Sequence, residues 1–262
     1  MCGIVAAIAE RPVQSILLEG LKRLEYRGYD SAGLATLAGD HIQCTRAKGK
    51  VAELESLLGD STANQGIAHT RWATHGVPSI KNAHPHQSGR FAVVHNGIIE
   101  NYKSLRSELT DLGYRFDSDT DTETIAHLLH HLSQTHESFD AVVAAVIERL
   151  DGAFALAIID EQTPGVLWVA RQGSPLVIGV GHGEHFVGSD QLALLHVTDR
   201  FIFLDEGDSA KLRSHTLEIY DGDHQLVNRP LVRAITSNEQ ASKGQYRHFM
   251  AKEIYEQPNA VL

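Results

Sequence analysis

The first apolar stretch of the chain runs from Ile4 to Ala9 without a polar residue, which predicts a strand buried on both faces. After Pro12, apolar residues recur at helical spacing, at Ile16, Leu17, Leu21 and Leu24. Proline suits the first turn of a helix, and Gly28 ends the pattern. The beginning of the chain therefore predicts a core strand followed by an amphipathic helix.

The second half of the chain is rich in short apolar runs. A helical pattern from Phe139 to Leu150 precedes them. The predicted strands span residues 153–159, 166–170, 176–180, 185–188, 201–204, 209–212 and 217–220. Their short connections suit antiparallel pairing more than β-α-β crossovers, so we expect an α+β fold of packed antiparallel sheets with helices outside. Residues 228–244 are polar and aperiodic, and residues 246–256 have the pattern of a final helix.

Composition narrows the class of protein. The formal net charge of −10 argues against nonspecific nucleic-acid binding, which needs a basic surface. No apolar run approaches the roughly 18 to 20 residues that cross a bilayer, and the first residues lack the features of a signal peptide. The only cysteines are Cys2 and Cys44, which makes a disulfide framework improbable. These features favour a cytoplasmic protein without membrane or nucleic-acid partners.

The residue of greatest chemical interest is Cys2. If Met1 is removed, Cys2 carries both a thiol and a free α-amine, with ordinary pKa values of about 8.5 and about 7.7 to 8.0. The amine can then serve as a base for the thiol of the same residue. The alternative is a buried cysteine that opens a core strand, and position and composition alone favour this alternative. A retained Met1 would convert the amine into an amide and remove the base.

Two further segments allow both a structural and a chemical interpretation. Asn96-Gly97 lies between apolar runs and predicts either a type I′ hairpin turn or a pair of donors for an oxyanion. Thr120 and Glu123 fit a capping box, in which Asp121 would favour the positive end of the helix. Asp121 therefore has a structural explanation beside a functional one.

The 16 histidines invite a metal-site hypothesis, supported by the His84-Pro85-His86 triplet. His127, His130 and His131 lack the carboxylates and cysteines typical of a zinc site, and no HExxH motif is present. We expect these three side chains on the solvent side of a helix whose other face is rich in leucine.

Seven motifs, in this order along the chain, together resemble those of a known family: MCGIV, LEYRGYDSAG, HTRWATHG, NAHPH, HNGIIEN, SDTDTE and DGAFALAI. They resemble the glutaminase domains of class II amidotransferases, and the LEYRGYDSAG, HTRWATHG and SDTDTE forms point to the glutamine-fructose-6-phosphate aminotransferases. The resemblance covers essentially the whole chain, including YRHFMAKEIYEQP near its end. It implies the four-layer αββα sandwich of the N-terminal-nucleophile hydrolases.

The resemblance also implies roles for individual residues. Cys2 would be the nucleophile of glutamine hydrolysis through a γ-glutamyl thioester, and Asn96 with the Gly97 N–H would form the oxyanion hole. Arg71 would bind the glutamine carboxylate and Asp121 its α-ammonium. The remaining implied substrate-binding residues are Thr74 and His75, which line the pocket, Trp72, which closes it, and Arg27, which supports the terminal residue.

The same resemblance implies no metal or organic cofactor, and a catalytic domain over residues 1–227. Residues 228–262 would be a covering tail and the start of a linker to a C-terminal synthase half. That half would bind fructose 6-phosphate, turn the ammonia into glucosamine 6-phosphate, and hold the parent enzyme together as a homodimer. Two alternatives stay open: a noncatalytic module that senses glutamine, and an amidotransferase that supplies ammonia to a different acceptor.

Overall fold

The computed structural model describes residues 2–72, 77–234, 246, 251, 254–255 and 257, and Arg27 through its backbone alone. Its helices are α1 (Gln14–Leu24), α2 (Val51–Ser56), α3 (Tyr102–Asp111), α4 (Thr122–Leu132) and α5 (Phe139–Arg149). Short 3-10 helices span Glu25–Arg27, Ile80–Asn82 and Gln191–Ala193. The predicted first helix is confirmed as α1, which continues through a 3-10 turn to Gly28 at φ +107°.

The strands form two sheets. They are β1 (Gly3–Ala9), β2 (Ser31–Ala38), β3 (His41–Lys48), β4 (Gln65–Arg71), β5 (His86–Ser88), β6 (Phe91–Ile99), β7 (Gly152–Asp160), β8 (Leu167–Gln172), β9 (Val177–Val180), β10 (Glu184–Gly188), β11 (Arg200–Phe203), β12 (Ser209–Leu212), β13 (Leu217–Tyr220), β14 (Leu226–Val227) and β15 (Leu231–Arg233). An eight-stranded sheet has the order β15-β11-β9-β10-β1-β4-β2-β3, and a seven-stranded sheet has the order β14-β13-β12-β8-β7-β6-β5. The ladders between these strands are antiparallel, as the short connections predicted.

Buried side chains divide into three apolar clusters that define four layers. One cluster joins the facing surfaces of the two sheets, a second joins the eight-stranded sheet to α1 and α2, and a third joins the seven-stranded sheet to α3, α4 and α5. Burial of this apolar surface is the main stabilising contribution to such a fold. The expected αββα sandwich is confirmed.

The first strand lies in the middle of its sheet, between β10 and β4. Ile4 and Ile8 face the other sheet, whereas Val5 and Ala7 face α1, so the strand is buried on both sides as its apolar run predicted. Packing explains the glycine at position 3, because a Cβ on Gly3 would lie 2.7 Å from Leu24 Cδ1. The strand therefore approaches α1 too closely for a larger residue at its first position.

Of the two interpretations of Asn96-Gly97, the hairpin turn is excluded. Strand β6 runs through both residues, and its last residues, Ile98 and Ile99, pair with Ala153 and Gly152. Nine residues of β6 thus pair continuously with β7, and the Asn-Gly pair lies inside the ladder.

The seven strands predicted in the second half of the chain are confirmed as β7 to β13. Strand β15, within the segment interpreted as a tail, pairs with β11 at the edge of the eight-stranded sheet. The predicted helix over 246–256 lies mostly outside the described residues. No helix of the described part of the chain is both long and apolar enough to cross a membrane.

Candidate active site between the two sheets

Cys2 lies at the start of β1, on the side that faces the second sheet. Gly3 pairs with Thr70, so Cys2 lies beside Arg71 at the neighbouring end of β4. Alternation along β1 places Cys2 on the same face as Ile4, which belongs to the cluster between the sheets. The sheet thus directs the Cys2 side chain to the end of the gap between the two layers.

The thiol of Cys2 is half-buried and has a backbone donor. The Trp72 N–H donates to Sγ at 3.3 Å, and Sγ lies 3.5 Å from the Trp72 carbonyl oxygen. Burial raises the pKa of the Cys2 thiol, and the Trp72 N–H opposes this rise. A base that takes the thiol proton is therefore needed for attack at neutral pH.

Asn96 joins the second sheet to the cysteine. Its Nδ2 donates to the Cys2 carbonyl oxygen at 3.2 Å, although the two residues are 94 positions apart. Gly97 follows at φ +132°, and a Cβ there would lie 1.9 Å from the Ala153 carbonyl oxygen. Only glycine fits this backbone without strain, and its exposed main chain remains open to a bound molecule.

Arg71 is a buried cation beside the cysteine. Its side chain is 4% exposed, and Nη1 lies 3.5 Å from Asp30 Oδ1 at the start of β2. The guanidinium is planar and carries five N–H donors in a fork that matches the geometry of a carboxylate. A buried arginine at the end of β4 is therefore suited to bind an acidic group.

Asp121 provides a buried carboxylate near the other end of the site. Its Oδ2 accepts the Ile99 N–H at 2.9 Å, which ties the beginning of α4 to the end of β6. The capping-box prediction is wrong: Glu123 instead accepts the N–H groups of Asp117 and Ser118. Asp121 lies near Gly97 because its carboxylate binds Ile99, which is two residues after Gly97 on the same strand.

The predicted lining and closing residues are only partly described. Thr74 and His75 lie outside the described residues, and Arg27 is placed only by its backbone in the 3-10 helix before Gly28. The side chain of Trp72 is exposed, and its ring packs on Gly28, where a Cβ would lie 1.8 Å from Cε3. The backbone of Trp72 thus contacts the thiol, while its exposed ring packs on Gly28.

Sequence reasoning missed a group of buried histidines behind the site. His84 Nε2 and His95 Nδ1 contact the Thr122 hydroxyl at 2.7 and 2.9 Å, and His86 Nε2 contacts the Thr120 hydroxyl at 2.9 Å. Burial lowers the pKa of His86 to about 3, so the ring is neutral at pH 7. The sequence contains the histidines of the NAHPH motif and the hydroxyls of the SDTDTE motif, but their contact is visible only in the structure.

The expectation for the histidines of α4 is wrong at His127. This residue is buried, and its ring contacts the Ser88 hydroxyl at 2.8 Å and the Arg115 carbonyl oxygen at 3.1 Å. Within the described ranges, no group of three or more His, Cys, Asp and Glu side chains is arranged to hold a metal ion. The buried histidines therefore bond to hydroxyl and carbonyl oxygens of the protein itself.

The sequence of residues 69–196 matches a family model described as the glutamine amidotransferase domain. The whole chain is also 56% identical to the glutamine–fructose-6-phosphate aminotransferase (isomerizing) of Idiomarina loihiensis, covering 43% of that protein. The matched region is a glutamine amidotransferase domain. The resemblance drawn from its motifs is thereby confirmed.

Further relatives of this chain have the same name. Those of Pseudomonas putida and Haemophilus influenzae are 56% and 52% identical over 265 residues, which are 100% of this chain and 43% of each relative. The chain thus spans less than half the length of the curated relatives it matches.

Solved structures share the amidotransferase fold. The glutamine phosphoribosylpyrophosphate amidotransferase of B. subtilis superposes with a TM-score of 0.74 at 23% identity, over 86% of this chain and 50% of that one. A class-II glutamine aminotransferase domain protein from Silicibacter pomeroyi gives a TM-score of 0.58 at 15% identity, over 84% and 99% of the two chains. At these identities the likeness concerns the fold.

Proposed function

We propose that the chain hydrolyses L-glutamine to glutamate and ammonia, with Cys2 as the nucleophile. The observation that carries this proposal is the contact between Cys2 and an amide donor from the opposite sheet: Asn96 Nδ2 donates to the Cys2 carbonyl oxygen at 3.2 Å. Arg71 and Asp121 supply a cation and an anion nearby, as a zwitterionic substrate requires. The match to the glutamine amidotransferase domain supports the same reaction.

In the proposed mechanism, Met1 is removed and the α-amine of Cys2 accepts the thiol proton. The sulfur adds to the side-chain carbonyl carbon of glutamine, and the oxyanion receives hydrogen bonds from Asn96 Nδ2 and the Gly97 N–H. The proton is returned to the leaving nitrogen, so ammonia departs and a γ-glutamyl thioester remains. Water then adds to the thioester, releasing glutamate and restoring the thiol. These residues supply the nucleophile, base and donors of the proposal without a cofactor.

Recognition of the charged ends of glutamine is assigned to two buried side chains. Arg71 would bind the α-carboxylate and Asp121 the α-ammonium, since each offers the opposite charge where solvent is largely excluded. Trp72, next to the thiol, would close the site over the substrate. The roles of Thr74 and His75 as pocket-lining residues, and of Arg27 as a support for Cys2, belong to the same proposal.

The relatives' name supports a wider proposal for a protein of their full length. There, ammonia would pass to a C-terminal synthase half that binds fructose 6-phosphate and forms glucosamine 6-phosphate, in a cytoplasmic homodimer. Residues 1–227 would form the glutaminase domain, with 228–262 leading to that half.

A direct test measures ammonia and glutamate after incubation of the purified chain with L-glutamine. We expect equimolar products, and a diazo ketone analogue of glutamine should attach once, to Cys2. Cys44 is the internal control, because it is also half-buried and burial raises the pKa of its thiol, but it lies on β3. Glutamine binding without turnover, or label on Cys44 alone, would contradict the proposal and favour the sensor alternative.

Gly97 offers a second test of the oxyanion hole. Gly97→Ala should lower kcat for glutamine about a hundredfold and the free energy of unfolding by about 2 kcal/mol, because the Cβ meets the Ala153 carbonyl at a positive φ. Gly113→Ala is the matched control: Gly113 has φ +93°, but nothing described lies within 4 Å of its added Cβ. Steady-state kinetics and urea unfolding should show a small stability loss and unchanged kcat for Gly113→Ala. Equal kcat for the two variants would argue against Gly97 as a donor.

A further inference from the structure

His69 is a buried residue of β4 that contacts the proposed oxyanion donor from behind. It lies two residues before Arg71 on the face of β4 directed at the second sheet, and its side chain is completely buried. Its Nε2 lies 3.0 Å from Asn96 Oδ1 and 3.1 Å from the His95 carbonyl oxygen. One ring nitrogen of the first sheet thus meets two oxygens of β6.

The surroundings of His69 determine which nitrogen carries its proton. A backbone carbonyl oxygen only accepts hydrogen bonds, so contact with the His95 carbonyl requires a hydrogen on Nε2. Burial lowers the pKa of His69 to about 3, which keeps the ring neutral with a single proton at pH 7. The ring is therefore the Nε2–H tautomer.

This tautomer in turn determines how the amide of Asn96 is oriented. The Nε2–H group of His69 favours the amide oxygen, because the opposite orientation would bring two donors together. With Oδ1 held by His69, Nδ2 points away toward Cys2 and donates to its carbonyl oxygen at 3.2 Å. The donor that the oxyanion needs is thus directed at the nucleophilic residue.

We propose that His69 is a positioning residue, which holds Asn96 by its Nε2–H so that Asn96 Nδ2 faces the oxyanion formed at Cys2. This inference rests on the proposed glutaminase function. The hydrogen bond to Oδ1 also polarises the amide and strengthens Nδ2 as a donor. In this proposal His69 acts through Asn96, and not directly on the thiol or the substrate.

The kinetic test compares His69→Gln with His69→Asn. The longer glutamine side chain can place an N–H close to the position of Nε2, whereas the asparagine amide reaches only to the level of Nδ1. We expect His69→Asn to lower kcat for glutamine about ten- to a hundredfold with KM within about threefold, and His69→Gln to recover most of the loss. Circular dichroism and thermal melting check that both variants fold.

A double-mutant cycle with Asn96→Ala separates positioning from a general structural effect. If His69 acts through Asn96, the two His69 variants should have equal kcat once Asn96 is alanine, because the group they orient is gone. A loss for His69→Asn that persists in full in the Asn96→Ala background, or equal losses for both variants when Asn96 is present, would overturn the inference.

Nitrogen-15 NMR of the imidazole groups tests the tautomer without any turnover. We expect the His69 ring, assigned by its disappearance in His69→Gln, to carry its proton on Nε2 at pH 7. A proton on Nδ1, or on both nitrogens, would overturn the inference even in an inactive protein. An inactive wild-type chain with the Nε2–H tautomer would instead refute the glutaminase function, and with it the role of His69 in catalysis.

Discussion

Cys2→Ala is expected to lower the rate of ammonia release from glutamine by at least about 10⁴-fold, since removal of a catalytic nucleophile costs this much or more. Alanine keeps the backbone of β1 and its pairing with β4, so the Asn96, Arg71 and Asp121 groups should stay in place. Glutamine should therefore still bind. Stopped assays of ammonia, together with calorimetric titration of glutamine, measure the two effects separately.

Cys44→Ala is the control for this prediction, because it removes the other thiol of the chain from β3. Cys2→Ser is a graded variant, which keeps a nucleophile of higher pKa and should show a small residual rate. Equal rates for Cys2→Ala and the wild type would show that another group attacks the substrate. Loss of glutamine binding in Cys2→Ala would mean that the cysteine also contributes to binding of the unreacted substrate.

The second large effect concerns stability in acid. Burial lowers the pKa of His69 and of His86 to about 3, compared with about 6.5 for an unfolded histidine. Between pH 6.5 and pH 3 the unfolded chain binds more protons than the folded one. The contribution of the two neutral rings to the free energy of unfolding is therefore fully present above pH 6.5 and is lost as the pH falls toward 3. When the pH falls from 7 to 5, each ring should lower the free energy of unfolding by about 2 kcal/mol. The two rings together should lower it by about 4 kcal/mol, which is much of a typical domain's stability.

Urea unfolding at several pH values between 7 and 5 measures this loss. His86→Gln should flatten the slope by about 2 kcal/mol over the two pH units, because an amide can still reach the Thr120 hydroxyl but cannot titrate. His41→Gln is the matched control, since the His41 side chain is 80% exposed and its replacement leaves His69 and His86 in place, so the loss of stability in acid should persist. An unaltered slope in His86→Gln would mean that His86 does not stay neutral in the folded protein.

The order of elements was largely predictable from the sequence because it depends on local patterns. The continuous apolar run of β1 and the short runs from β7 to β13 each carry their own signal, and Pro12 and Gly28 bracket the first helix. The local sequence did not determine the conformation of Asn96-Gly97. Pairing of β6 with β7 over nine residues prevails over the turn preference of that dipeptide.

Contacts between distant segments were not predictable in the same way. His69 meets Asn96 across 27 residues, and Asn96 meets Cys2 across 94, so no spacing along the chain reveals either contact. His127 is buried because residues from β5 and from the loop after α3 cover it, which helical periodicity alone cannot show. The motifs identified candidate groups, and the packing of the two sheets determines which of them meet.

The position of β1 in its sheet has a consequence for folding during synthesis. Its partners are β4 and β10, and β10 ends at Gly188, so β1 acquires its second neighbour only after residue 188 has been synthesised. Until then β1 can pair with β4 only, and its other edge has no partner strand. During synthesis on the ribosome, a nascent chain that lacks β10 should therefore be inactive in the proposed glutamine hydrolysis.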